Sequence, residues 1–156
     1  MRKGLVIGIG NPDRGDDGIG PLVARRLIGR LPPGVAVIER TGDVLALIED
    51  WKGSDVVVLV DAAAPTTSPG RVHRLDLVKD RLPTELSLAS THAFGVSQAV
   101  GLARTLGLLP ANVVVYAIEG ASFIPGTPMS PEVSAAADAV VTHIAAELHH
   151  LECHHA

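Results

Sequence analysis

The chain has 156 residues, a formal net charge of −4, 47% hydrophobic residues and 3% aromatic residues. This length predicts one domain with an aliphatic core, and the negative charge argues against nucleic acid as a partner. The only cysteine, Cys153, excludes an internal disulfide, and such cysteine usage is typical of a reducing compartment. The sequence shows no apolar leader and no apolar run of about 18 residues, so we expect a cytoplasmic protein that does not enter membranes.

Five segments rich in Val, Ile and Leu predict β-strands: Gly4–Gly8, Val35–Glu39, Asp55–Asp61, Arg71–Leu77 and Asn112–Ile118. The first, third and fifth contain continuous apolar runs, as expected of parallel strands that are covered on both faces. The fourth alternates between polar and apolar residues, which predicts an antiparallel edge strand with one face in water.

Four segments that alternate with the strands predict helices: Gly18–Leu31, Val44–Trp51, His92–Leu106 and a last helix that begins at Ser130-Pro131-Glu132 and keeps an apolar stripe to Leu148. The start of the last predicted helix combines a capping hydroxyl, a proline in the first turn and an acid. We therefore predict a three-layer α/β/α sandwich with a five-stranded, mostly parallel, twisted sheet and helices on both faces. One domain spans residues 1–156, and its end, from about residue 149, is expected to be a flexible His-rich tail.

A glycine-rich turn follows the first strand and carries two adjacent acids, Asp16 and Asp17. The Gly8-Ile9-Gly10 sequence begins a dinucleotide-binding pattern, but Asp13 stands where the third glycine is required. Acids at this position would also repel a pyrophosphate from the helix start that normally attracts it. The turn therefore favours a metal or a polar substrate over a nucleotide.

Ligands of open α/β sheets bind beyond the carboxyl ends of the strands, where the strand order reverses. Asp16 and Asp17 follow the first strand, Asp61 ends the third strand, and His92 opens the third helix. Each has a structural alternative, since an acid before a helix caps it, a strand-terminal acid caps a loop, and a lone histidine is more often structural. Near the positive end of a helix, His92 is expected to be neutral and able to bind a metal.

If the first and third strands are neighbours, these side chains converge on one site. Two carboxylates and one imidazole suit Ni²⁺ or Zn²⁺ better than Ca²⁺, which prefers more oxygen ligands. Three ligands leave coordination positions on the metal open. We therefore expect a site that binds a metal weakly by itself and is completed by an arriving ligand. The chain lacks the G-x-S-x-G and H-E-x-x-H motifs that are typical of two classes of hydrolase. The His-rich tail motivates an alternative, a non-catalytic accessory protein that binds divalent metal.

Three motifs in order, Gly8-x-Gly10-Asn11 leading to Asp16-Asp17-Gly18-x-Gly20, then Val60-Asp61-Ala62, then Ser90-Thr91-His92-x-x-Gly95, resemble those of the hydrogenase maturation endopeptidases. The segment from Ile118-Glu119-Gly120 to Ser130-Pro131 is similar to the late loop and final helix of that family. The resemblance extends from about residue 3 to residue 148. It departs at Arg40-Thr41-Gly42-Asp43, where relatives can carry an acid and a Gly-Gly-Thr-like turn.

The resemblance implies an endopeptidase that removes the C-terminal extension of the [NiFe] hydrogenase large-subunit precursor once nickel has been inserted. It implies that Ni²⁺ is carried by the substrate, and that Asp17, Asp61 and His92 are the metal ligands and act in catalysis. Asp16 is a candidate for the base that moves protons. The implied partner is the large-subunit precursor, with no nucleic acid, membrane or nucleotide involved, and Arg40 would mark a different hydrogenase subgroup.

Overall fold

The computed structural model describes residues 3–41, 43–65, 68–79 and 93–154. The strands are β1 (Gly4–Ile9), β2 (Val35–Arg40), β3 (Val56–Ala63), β4 (Val72–Asp76) and β5 (Asn112–Glu119). The helices are α1 (Ile19–Leu27), α2 (Val44–Trp51), α3 (Ala93–Leu106) and α4 (Pro131–His154), and a 3-10 turn (Gly15–Gly18) leads into α1.

The strands form one sheet in the order β2-β1-β3-β5-β4. All neighbouring pairs are parallel except β4 with β5, which is antiparallel. The predicted mostly parallel sheet with one antiparallel edge strand is therefore confirmed. β1 and β3 lie side by side although β2 separates them in sequence, so the strand order reverses between them, and the carboxyl ends of β1 and β3 form the expected binding edge.

Two apolar clusters cover the two faces of the sheet. On one face, α2 and α3 bury side chains such as Leu47, Trp51 and Val96. On the other face, α1 and α4 bury side chains such as Val23 and Ile144. β1 and β3 are buried along their whole length, because they are the central strands and are covered on both sides, which explains their continuous apolar runs.

Two helices differ from the sequence prediction at their C-terminal ends. α1 ends at Leu27 and not at Leu31, since Ile28 turns to an extended conformation and Gly29 takes a φ of 83°, which only glycine adopts readily. α4 continues past Leu148 to His154, into the segment predicted as a flexible tail. Leu148 is buried and Leu151 packs on the same cluster, so the apolar stripe that holds the helix extends further than expected.

Helix α1 approaches the sheet very closely at Gly20. A Cβ atom at Gly20 would lie 2.3 Å from the carbonyl oxygen of Ile9 and 2.5 Å from that of Val60. Only a residue without a side chain fits between these backbones, and this contact fixes the 3-10 turn over the carboxyl ends of β1 and β3. No helix within the described ranges has the length and apolar character needed to cross a bilayer.

Candidate active site

Asp17 is held over the end of β1 by the backbone of the turn. Gly10 adopts a φ of 142°, and a Cβ atom there would lie 2.0 Å from the carbonyl oxygen of Asp17, so this close approach requires glycine. The backbone N–H of Asn11 donates to Oδ2 of Asp17 at 2.9 Å, and the residue is 2% exposed. The glycine-rich turn thus places a carboxylate that is almost removed from water.

Asp61 lies near the end of β3 and is completely buried. Its Oδ1 accepts a hydrogen bond from the backbone N–H of Ala62 at 2.8 Å, whereas its Oδ2 is buried with no hydrogen-bond partner among the described residues. Burial, and secondly the negative charge of Asp17, raise the pKa of Asp61 well above its usual value. A buried carboxylate oxygen without a donor is costly in a stable core and is typical of a site that receives a ligand.

The structure brings Asp17 and Asp61 together, as the sequence predicted for neighbouring first and third strands. β1 pairs with β3, and the two carboxylates are close enough for the charge of one to shift the pKa of the other. His92 lies outside the described residues, so its expected place beside them stays a prediction. Within the described ranges, no third His, Cys, Asp or Glu joins the two aspartates in a metal-binding cluster.

Asp16 points away from this pair and ties the turn to the late loop between β5 and α4. Its Oδ2 accepts hydrogen bonds from Ala121 N at 2.7 Å, Ser122 N at 3.0 Å and Ser130 Oγ at 2.8 Å, and its Oδ1 accepts one from Ser130 N at 2.6 Å. Burial alone raises the pKa of Asp16, but these four hydrogen bonds outweigh burial and hold its pKa below its usual value.

Neither aspartate caps the helix that follows. The 3-10 turn and α1 begin without a side-chain hydrogen bond at the cap position, so the capping alternative that the sequence left open is wrong for both acids. Asp16 stabilises the late loop instead, and with both of its oxygens occupied and its pKa lowered it is poorly suited to accept a further proton.

Arg40 forms a bidentate ion pair with Asp50 of α2 and does not offer a free positive charge. Its Nε and Nη2 donate to the two carboxylate oxygens of Asp50 at 2.7 Å and 3.0 Å, and Nη1 donates to the carbonyl oxygen of Glu39 at 2.8 Å. The guanidinium therefore fastens the end of β2 to α2. That Arg40 marks a different hydrogenase subgroup stays a prediction.

A pair of titratable side chains that was not predicted from the sequence lies at the same edge of the sheet. Nε2 of His73 on β4 lies 2.6 Å from Oε2 of Glu119 at the end of β5, and Glu119 is fully buried. Glu119 follows an apolar run that ends at Ile118, the same signal that singled out Asp61. That signal was available in the sequence, but the contact with His73, 46 positions away, was not.

Comparisons with known proteins agree with this architecture. A sequence model of the HycI hydrogenase maturation protease family matches residues 22–147, and no curated protein matches the chain. Among solved structures, the hydrogenase maturating endopeptidase HybD from Escherichia coli is 24% identical with a TM-score of 0.80, over 96% of this chain and 93% of that one. At this identity the likeness shows the fold.

Two archaeal structures are slightly more similar in sequence. The [NiFe] hydrogenase maturation protease HybD from Thermococcus kodakarensis is 26% identical with a TM-score of 0.75, over 95% of this chain and 99% of that one. The hydrogenase 2 maturation peptidase from a Thaumarchaeota archaeon is 27% identical with a TM-score of 0.68, over 94% of this chain and 98% of that one. Each shares nearly its whole length with this chain.

Proposed function

This chain belongs to the hydrogenase maturation protease family, and we propose that it removes the C-terminal extension of a [NiFe] hydrogenase large-subunit precursor after nickel insertion. The substrate carries the nickel, and the protease detects it through Asp17, Asp61 and His92. The observation that carries this proposal is the pair of buried, interacting carboxylates at the carboxyl ends of β1 and β3. We place the reaction in the cytoplasm, where a chain with one cysteine stays reduced.

Two properties of Asp61 favour a cation that arrives with the substrate. Oδ2 of Asp61 has no donor among the described residues, so an incoming cation supplies what this oxygen lacks. The raised pKa of Asp61 returns toward its usual range when a positive charge binds.

Nickel in the precursor supplies the electrophilic part of the chemistry. Bound beside the scissile peptide, it polarises the carbonyl group or lowers the pKa of an attacking water. Asp17 and Asp61 hold the nickel-bearing segment in place, so that only a loaded precursor docks in the productive position. A precursor without nickel would leave the two buried carboxylates with no cation between them, and its docking would be unfavourable.

The test is cleavage of purified large-subunit precursor by this chain, followed by mass spectrometry. We expect the mass of the precursor to fall only when nickel is bound. Asp17→Asn, Asp61→Asn and His92→Ala should abolish that loss, while Asp13→Asn should keep it, because Asp13 is an exposed acid of the same turn. Equal cleavage with and without nickel, or full activity of both Asp17→Asn and Asp61→Asn, would contradict the proposal.

Calorimetry distinguishes this function from that of a metal-binding accessory protein. A site completed by the substrate should bind free Ni²⁺ weakly, with a Kd near 1 mM, about −4 kcal/mol. A Kd of about 1 μM for the protein alone, unchanged in Asp17→Asn, would instead favour metal storage or delivery through another part of the chain, such as the histidines near the C-terminal end of α4.

A further inference from the structure

The contact between His73 and Glu119 joins a partly exposed imidazole to a carboxylate that water does not reach. The side chain of His73 is 25% exposed, that of Glu119 is 0% exposed, and their atoms Nε2 and Oε2 lie 2.6 Å apart. A buried carboxylate bonded to an imidazole is seldom the most stable way to fill a protein interior, since two apolar residues of similar volume often stabilise it as well or better. The pair therefore invites a functional explanation.

The register of the sheet places this pair beside the two aspartates. His73 is opposite Ala117 on β5, and Ala117 is opposite Asp61 on β3, so His73 and Asp61 lie in one row across the sheet. Residues that pair directly across strands project from the same face. Glu119 is opposite Ala63, two positions after Asp61, and it projects from that face as well.

The distance along this row is short enough for one substrate to reach both ends. Strands lie about 4.8 Å apart, so two strand spacings separate the backbones of His73 and Asp61 by about 10 Å. An extended peptide covers about 3.3 Å per residue, and three of its residues span this row. A peptide bound through a metal at Asp61 can thus present the next residues to His73.

The hydrogen bond with Glu119 determines which nitrogen of His73 is available. With Glu119 ionised and His73 neutral, the carboxylate only accepts hydrogen bonds, so that Nε2 is the nitrogen that carries and donates the proton. Nδ1 then has a free lone pair, and it has no hydrogen-bond partner among the described residues. A carboxylate that orients an imidazole and stabilises its protonated form is the arrangement that serine proteases use for their general base.

We propose that His73 is the proton-transfer residue of the cleavage reaction and that Glu119 positions it. This proposal rests on the proposed function. Nδ1 of His73 takes a proton from water as the water oxygen bonds to the scissile carbonyl carbon. When the C–N bond breaks, the imidazolium returns that proton to the leaving nitrogen. One water is consumed, no net proton is left on the protein, and the products are a carboxylic acid and an amine.

Asp16, the base candidate from the sequence, does not compete for this role. Four hydrogen bonds occupy its two oxygens, and the late loop that donates them is on the α1–α4 side of the sheet, where Phe123 and Met129 pack. His73 instead is on the face that α2 and α3 cover. Its Nδ1, which has no partner among the residues that the structure describes, and its partial exposure are what a general base requires.

The test compares His73 and Glu119 with a matched ion pair made by the next residue of β4. Arg74 donates from Nε to Oε1 of Glu147 at 2.8 Å, on the opposite face of the sheet. The variants are His73→Gln, Glu119→Gln, Arg74→Gln and Glu147→Gln, and each is used only if its circular dichroism spectrum and melting curve show a folded protein. The readouts are the single-turnover rate of cleavage of nickel-loaded precursor at saturating protein and, separately, the affinity for that precursor.

We expect His73→Gln to lower the single-turnover rate by about 10²–10⁴-fold, the usual contribution of a general base, with little change in affinity. Glu119→Gln should lower the same rate by a smaller factor, and the two Gln variants of the Arg74–Glu147 pair should leave it unchanged. If the wild-type protein fails to cleave, the proposed function is wrong. If the wild-type protein cleaves and folded His73→Gln cleaves at the same rate, only the role of His73 is overturned.

Discussion

Replacing Asp16 by alanine is expected to be among the most destabilising single changes in this protein. The change removes the acceptor of four hydrogen bonds and leaves the backbone N–H groups of Ala121, Ser122 and Ser130 without their partner. A hydrogen bond to a charged group contributes about 1.5–3 kcal/mol, and breaking a buried charged network costs about 3–5 kcal/mol. Because water can enter the loosened loop, we expect Asp16→Ala to lower the free energy of unfolding by about 3–5 kcal/mol, the range for one such network.

Urea denaturation at pH 7 measures this loss, with Asp13→Ala as the matched control. Asp13 is an exposed acid of the same turn, and within the described residues its carboxylate makes no hydrogen bond, so its removal should change the free energy of unfolding by less than about 0.5 kcal/mol. The slope of the free energy of unfolding against urea concentration should be the same in both variants, since the surface exposed on unfolding is unchanged.

The same measurement at lower pH tests the electrostatic part of the argument. The pKa of Asp16 is lowered in the folded protein, so its stabilisation is complete above the pKa of the unfolded chain and is lost as the pH falls through the folded pKa. The difference in the free energy of unfolding between the wild-type protein and Asp16→Ala should therefore be largest at neutral pH and become smaller in acid. Equal stability of Asp16→Ala and Asp13→Ala at pH 7 would refute the reasoning.

Three further substitutions test the stability of the fold. Asp61→Asn should raise the free energy of unfolding at pH 7 by about 1–3 kcal/mol, or the melting temperature by about 2–12 °C. Because the pKa of Asp61 is raised in the folded protein, the wild-type protein loses stability as the pH rises from the pKa of the unfolded chain toward the folded pKa. A calorimetric scan in which Asp61→Asn shows no gain would contradict the burial argument. Gly20→Ala should destabilise by at least about 1–3 kcal/mol, because its Cβ would lie 2.3 Å from a backbone oxygen, whereas Gly101→Ala, with nothing within 4 Å, should stabilise α3 by about 0.5–1 kcal/mol in the same denaturation assay.

Much of the fold follows from local patterns in the sequence. The buried strands β1, β3 and β5 stood out as apolar runs because their neighbours cover both faces, and β4 stood out because one of its faces is wet. α2 was predicted at Val44–Trp51 and is found there. The C-terminal end of α1 was missed because the apolar stripe continues to Leu31 although the backbone turns at Ile28, and the stripe alone does not show that turn.

The candidate site divides in the same way between local and distant information. Asp17 and Asp61 could be selected because each follows an apolar strand, and the strand order then brings them together. The separate roles of Asp16 and Asp17 could not be predicted, since they depend on which acid faces Ser130, 114 positions away from Asp16. The partnership of His73 with Glu119 likewise depends on the antiparallel register of β4 and β5, which no short motif encodes.

The long span between Asp16 and its donors has a consequence for synthesis on the ribosome. Ser130 follows Asp16 by 114 positions, so at about 5–20 residues per second the turn emerges roughly 6–23 s before its last anchor. During that interval Asp16 of the nascent chain has no hydrogen-bond donors from the late loop, and the turn that carries Asp17 is not yet held in place. A chain released before residue 130 would therefore lack the hydrogen bonds that order this turn, so that the candidate site forms only after residue 130 has been synthesised.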